Sequence, residues 1–273
     1  MLEKTNHKIA PKEVVDALLT LYRQGRFDDI LSRSSQLIKE YPQTFILHNI
    51  MGEISFEKGH IEVAIEHFHK VIELHPHDPH GYNNLGAALI NISDYQEAKS
   101  NLKKAIKLKP DYAEAYNNMG IILKDQGKLE EATEAYNKAL SIKPDYAEAY
   151  NNMGIILKDQ GKLEEAIEAY NKALSIKPDY AQAFYNIGII LKDQGKLEEA
   201  IEAYNKALSI KPDYAEAYNN MGDSLQVLCK LEEAIEAYNK ALSIKPDYAE
   251  AYYNMGIILK DQGKYEKAIE VYN

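Results

Sequence analysis

The sequence predicts an all-α fold, a solenoid of stacked helix pairs, on three observations. Seven of the nine prolines stand 34 residues apart, at Pro42, Pro76, Pro110, Pro144, Pro178, Pro212 and Pro246. Seven glycines keep the same step, at Gly52, Gly86, Gly120, Gly154, Gly188, Gly222 and Gly256. Between these markers, apolar residues recur at three- and four-residue intervals, which is one face of a helix. The 273 residues alone would suggest one or two globular domains. A fixed period of this length denotes a stacked array instead.

The predicted organisation is a tail at 1–10, seven units at 11–44, 45–78, 79–112, 113–146, 147–180, 181–214 and 215–248, and a partial eighth at 249–273. The unit at 147–180 shows the logic. Ala149, Tyr150, Met153, Gly154 and Leu157 line one face of a first helix. Gly161 suits its end, where a left-handed residue costs little only for glycine. Leu163, Ala166, Ile167, Tyr170, Ala173 and Leu174 line a second helix. Asp145 and Glu148 have the spacing of a capping box, with Pro144 blocking extension of the preceding helix. Glu164 and Glu165 fall in the first turn of the second helix and Lys177 just past its last, as the helix dipole favours. Glu168 and Lys172 are spaced as an i, i+4 pair. One hairpin buries only one side against itself, so its neighbours supply the rest of the core.

Composition excludes several functions. The chain carries 32 Lys plus Arg against 42 Asp plus Glu, a net charge of −10. A nucleic-acid surface needs clustered basic residues, and the single basic stretch, Lys99 to Lys109, is the solvated face of one helix. No run of about 18 apolar residues is present to span a membrane. The start, MLEKTNHKIA, lacks the apolar stretch of a signal peptide. One cysteine makes no internal disulfide, which fits a cytoplasmic protein. No phosphate-binding glycine loop, HExxH or GxSxG occurs, so neither enzymatic activity nor a cofactor is expected of these residues.

The units resemble the tetratricopeptide repeat family, whose pattern asks for an aromatic at position 4, Gly or Ala at 8, Ala at 20, an aromatic at 24, Ala at 27 and Pro at 32. Tyr150, Gly154, Ala166, Tyr170, Ala173 and Pro178 meet it, and the match extends over 11–273. The first unit departs most, with Leu18, Ile30, Leu37 and Ser34 at the small and aromatic positions; His48, Val71 and Leu102 are milder departures. The resemblance implies a right-handed superhelix whose first helices line a concave groove, with positions 2, 5, 6, 9, 12 and 13 facing inward.

Position 6 holds Asn84, Asn118, Asn152, Asn186, Asn220 and Asn254. This row is similar to the asparagine ladder in the repeat domain of O-linked N-acetylglucosamine transferase. A carboxamide both donates and accepts, so it pairs with a peptide unit without reading side chains. Tandem duplication would copy the same row without selection for binding. Position 5 adds Asn83, Asn117, Asn151, Tyr185, Asn219 and Tyr253. Position 9 carries Ile121, Ile155, Ile189 and Ile257, which either meet apolar ligand side chains or pack beneath the next unit. In the seventh unit DSLQVLC, Asp223 to Cys229, replaces IILKDQG and brings Asp223, Gln226 and Val227 to groove positions. The position-2 glutamates are assigned to capping. Family members that clamp chaperone carboxylates use Lys or Arg at positions 2, 5 and 6. Here Glu, Asn and Asn stand there, so that mode is not expected.

Seven of eight histidines lie between His48 and His80. His75, His77 and His80, around one inter-unit turn, are the weak metal-ligand candidates. His67 and His69 are two apart on a helix and face different sides. Cys229 has no acid or histidine nearby in sequence and is expected to be a lone thiol.

The function expected is a protein-interaction scaffold holding an extended peptide or partner segment. The alternative is the substrate-recognition region of a larger enzyme of glycosyltransferase or sulfotransferase type, because the eighth unit stops within its second helix. End-to-end self-association through Tyr265, Ile269 and Tyr272 is a further expectation.

Overall fold

The computed structural model describes residues 8–272, which form two compact units divided after Pro144. All regular structure among these residues is helical. The first unit contains α1 (Lys12–Arg23), α2 (Phe27–Glu40), α3 (Phe45–Glu57), α4 (Ile61–Leu74), α5 (Pro79–Asn91), α6 (Tyr95–Leu108), α7 (Ala113–Asp125) and α8 (Leu129–Ile142). The second contains α9 (Ala147–Asp159), α10 (Leu163–Ile176), α11 (Ala181–Asp193), α12 (Leu197–Ile210), α13 (Ala215–Val227), α14 (Leu231–Ile244), α15 (Ala249–Asp261) and α16 (Tyr265–Tyr272). Each odd-numbered helix packs on the even-numbered helix that follows it. In the first unit α4 then packs on α5 and α6 on α7; in the second α10 packs on α11, α12 on α13 and α14 on α15. First helices also touch successive first helices, α5 with α7 and α11 with α13.

The hairpin closes on a glycine. A Cβ placed on Gly154 would lie 2.5 Å from the ring of Tyr170, and the same holds for Gly120 against Tyr136 and Gly188 against Tyr204. Gly52 receives Phe68 at 2.5 Å and Gly86 receives Leu102 at 2.8 Å. The ring therefore rests directly on the first helix's backbone. Ala132, Ala166, Ala200 and Ala234 at position 20 are fully buried, as are Ala139, Ala173, Ala207 and Ala241 at position 27. Small residues let the two helices come this close.

The turn is set by backbone hydrogen bonds. Gly161 N–H donates to Lys158 O and Lys162 N–H to Leu157 O, both at 2.9 Å, with Gly161 at φ +75°. These are the two bonds of a Schellman end, which needs a left-handed residue. Ser93 (φ 60°) and Cys229 (φ 58°) take that conformation where glycine is missing. A non-glycine residue there is strained by about 1–2 kcal/mol.

The capping box expected at Asp145 and Glu148 does not form. The N-cap of α9 is Tyr146 and makes no side-chain cap bond. Asp145 lies one residue too early to reach the free N–H groups of the first turn. Glu148 instead pairs with Lys177 at 3.5 Å, and Glu114 with Lys143 at 3.2 Å. Side-chain caps occur at Asp78 and Asp94, which accept from His80 N–H and Glu97 N–H at 3.1 Å. Lysines closing second helices also sit over the next tyrosine ring: Lys109 over Tyr112 at 4.7 Å, Lys177 over Tyr180 at 4.9 Å, and Lys211 over Tyr214 at 4.7 Å. This favourable cation–ring contact recurs with the repeat, and with the ring at position 24 it accounts for about half of the 21 tyrosines.

Replacing Gly154 by Ala forces the Tyr170 ring off the backbone, an overpacking cost of about 1–3 kcal/mol. Hydrogen exchange on α9 and α10 should accelerate by the corresponding factor. Unchanged protection would show that the hairpin yields without cost.

Candidate functional site

The predicted groove residues are bonded to one another along successive first helices. In the first unit, Asn118 Nδ2 donates to Asn83 Oδ1 at 3.0 Å. Asn84 Nδ2 lies 3.4 Å from both Asn49 Oδ1 and Glu53 Oε1. In the second unit, Asn186 Nδ2 donates to Asn151 Oδ1 at 3.1 Å, and Asn220 Nδ2 to Tyr185 Oη at 3.0 Å. The rule is common to both units: a position-6 amide donates to position 5 of the preceding repeat, 35 residues earlier. At Tyr185 a phenol oxygen takes the place of the amide as acceptor.

This arrangement separates the two rows. Asn83, Asn117, Asn151 and Asn219 at position 5 are buried, whereas Asn84, Asn118, Asn152, Asn220 and Asn254 at position 6 are half-buried. Asn186 is the buried member of the position-6 row. Tyr253, at position 5 of the last repeat, is 60% exposed. Ile121, Ile155, Ile189 and Ile257 are half-buried. The doubled asparagine, recurring every 34 residues, was the sequence signal for these inter-repeat bonds.

The rule fails between the seventh and eighth repeats, and the seventh repeat's divergent residues explain how. Asp223 Oδ1 accepts from Tyr238 Oη and Asn254 Nδ2, both at 2.9 Å, and Oδ2 accepts from Lys192 Nζ at 3.2 Å. Tyr238 Oη also lies 3.1 Å from Gln226 Oε1. Lys192 Nζ further donates to Asn220 Oδ1 at 3.0 Å. Three successive repeats thus meet on one carboxylate. Asn254 is drawn away from Asn219, which is 1% exposed and has both amide atoms buried without a partner.

The same substitutions serve the ring at position 24. The hydroxyls of Tyr170 and Tyr204 are buried without a partner, and burial drives both groups' pKa far up. In the seventh repeat Asp223 and Gln226 stand at positions 9 and 12, where the hydroxyl of Tyr238 emerges, and they accept its hydrogen bond. Lys192, missed by the sequence reading, completes this network because it reaches forward from the sixth repeat. Val227, at the end of α13, is 68% exposed, and Cys229 is an exposed free thiol.

The histidines around the inter-unit turn face different neighbours. His75 stacks on Phe45 with centroids 4.1 Å apart, His80 Nδ1 lies 2.8 Å from Tyr112 Oη, and His77 is exposed. Among the described residues no group of three or more potential ligands is placed to hold a metal ion. No helix among them is long and apolar enough to cross a membrane.

Two tyrosines separate these environments by experiment. Tyr170→Phe removes an unpaired buried hydroxyl and should leave the melting temperature unchanged or higher. Tyr238→Phe strips a donor from two acceptors and should cost about 1–2 kcal/mol. Equal effects in thermal melts would contradict the assigned bonding.

Comparisons with known proteins agree with this architecture. A family profile described as tetratricopeptide repeat matches residues 81–145, 111–179 and 145–213, and one described as TPR repeat matches 230–263; together they cover more than half of the chain. No curated protein matches the sequence. Among solved structures, a chain of the APC/C hetero-tetramer Cut9–Hcn1 superposes with a TM-score of 0.78 at 18% identity, covering 89% of this chain. The present chain spans 48% of that one. Pseudomonas aeruginosa pilF superposes with a TM-score of 0.66 at 22% identity, over 71% of this chain and 88% of its own. At these identities the likeness concerns the fold. The period, the glycine-on-ring hairpin and the matched profiles together make this chain a member of the tetratricopeptide repeat family.

Proposed function

We propose that the chain is a non-catalytic interaction scaffold that holds an extended peptide or partner segment against its first helices, through a ladder of position-6 asparagines. Tetratricopeptide repeats generally mediate protein–protein interaction, and that is the general setting of the proposal. The observation that carries the finer reading is the half-buried amide row held in register by its own hydrogen bonds. Asn118 and Asn220, both half-buried, each spend one N–H on the preceding repeat, and a carboxamide has a second N–H to offer a partner. The amides are therefore pre-organised, which lowers the ordering cost of binding. Exposed Tyr253 and Val227 add apolar surface on first-helix positions. Contacts repeated at fixed spacing let affinity accumulate along the segment. The partner is a protein or peptide and needs no cofactor; cytoplasmic residence and self-association through the face of Tyr265, Ile269 and Tyr272 belong to the same proposal.

Peptides selected on the full chain from a random display library test the reading. Combined replacement of Asn118, Asn152 and Asn186 by Ala, and separately Tyr253→Ala, should weaken the selected peptides by about tenfold or more. Helicity by circular dichroism should hold at the assay temperature. Equal binding by these variants, or loss of binding only on changing outer second-helix residues such as Glu168, would refute it.

A further inference from the structure

The second repeat carries histidine at the aromatic position 4, and this departure has a structural consequence. His48 on α3 and His67 on α4 face each other within the hairpin, Nδ1 to Nδ1 at 3.1 Å, with ring planes inclined by 47°. His48 is 7% exposed and His67 is half-buried. The other nitrogen of His48, Nε2, lies 3.3 Å from the carbonyl oxygen of Pro42. A carbonyl only accepts, so Nε2 carries the hydrogen and Nδ1 presents its lone pair to His67. This is how ligating imidazoles are oriented: one ring nitrogen donates to a backbone carbonyl, which fixes the tautomer, and the other faces the ion. The hairpin holding the pair is tightly packed, with the Phe68 ring resting on Gly52 and with Ile54, Ala64 and Val71 fully buried.

We propose that His48 and His67 form a two-histidine site for a divalent ion of the imidazole-binding class, Zn²⁺, Ni²⁺ or Cu²⁺, coordinated through both Nδ1 atoms. With metal–nitrogen distances of about 2.0–2.1 Å, nitrogens 3.1 Å apart subtend roughly 95–100° at the ion. That angle suits two adjacent positions of a tetrahedral, square-planar or octahedral shell. Water reaches the remaining positions from the half-exposed His67 side.

Without metal the two Nδ1 atoms share one hydrogen, donated by His67. Binding moves that hydrogen to Nε2 of His67, so a neutral pair releases no net proton. Burial, and for His67 also the neighbouring His48, lowers the pKa of both rings. Glu66 and Glu73 on α4 favour a cation, and Lys70 on the same helix opposes it. The ion would clip α3 to α4, whereas His75, His77 and His80 take no part.

Calorimetric titration of the full chain with ZnCl₂, and separately with NiCl₂ and CuCl₂, tests the site. At least one of the three ions should bind at one equivalent. His67→Ala should weaken it by about tenfold or more, and His48→Phe, which restores an aromatic at position 4 and so preserves the hairpin, should do the same. The combined His75→Ala, His77→Ala, His80→Ala chain should bind like the wild type. Absence of binding by all three ions, binding that survives both His48→Phe and His67→Ala, or loss confined to the triple variant would overturn the proposal.

Discussion

The contact between a glycine on the first helix and a ring on the second is what the remaining structure depends on. Because Gly154 has no side chain, the Tyr170 ring lies on backbone and the helices approach more closely than an alanine would allow. That approach places the alanines at positions 20 and 27 in full burial and fixes where the next hairpin docks. Stability in such an array is a sum of hairpin and neighbour terms, so a contact repeated in six of the eight hairpins weighs more than any single residue. Its by-product is a phenol oxygen carried through to the first-helix side. Tyr170 and Tyr204 leave that oxygen unmet, and Asp223 and Gln226 meet it for Tyr238.

The seventh repeat shows how one set of substitutions redistributes polar bonding without touching the hairpin. Asp223 gathers Tyr238, Asn254 and Lys192, and the cost falls on Asn219, whose amide is stranded. A buried amide without partners costs about 1–3 kcal/mol. The charge-assisted bonds to Asp223 offset it. The divergent stretch is thus coherent as a packing solution, and the partner segment proposed for the first helices would meet a polar centre there in place of the isoleucine found elsewhere.

The fold was legible because its determinants are local and repeated. Gly154, Gly161, Ala166, Tyr170 and Pro178 each mark one geometric requirement, and their 34-residue step multiplied the signal. Helix starts were less legible. Asp145 and Glu148 have capping spacing, yet the register of α9 places the aspartate one residue too early. The site was legible in composition but not in pairing. That Asn83 and Asn151 are acceptors for Asn118 and Asn186 depends on the stagger between neighbouring first helices, which adds one residue to the period and is invisible in a single repeat. The His48–His67 contact lies across a hairpin, 19 residues apart, where neither residue signals the other.

The asparagine pairs are the joints between successive repeats, and a double-mutant cycle on Asn151 and Asn186 measures one of them most directly. With both residues buried and 3.1 Å apart, the cycle should give a coupling of about 1 kcal/mol, the double alanine chain being more stable than the summed single losses imply. Strict additivity, with each alanine costing the same in either background, would contradict the inter-repeat bonding on which the ladder rests.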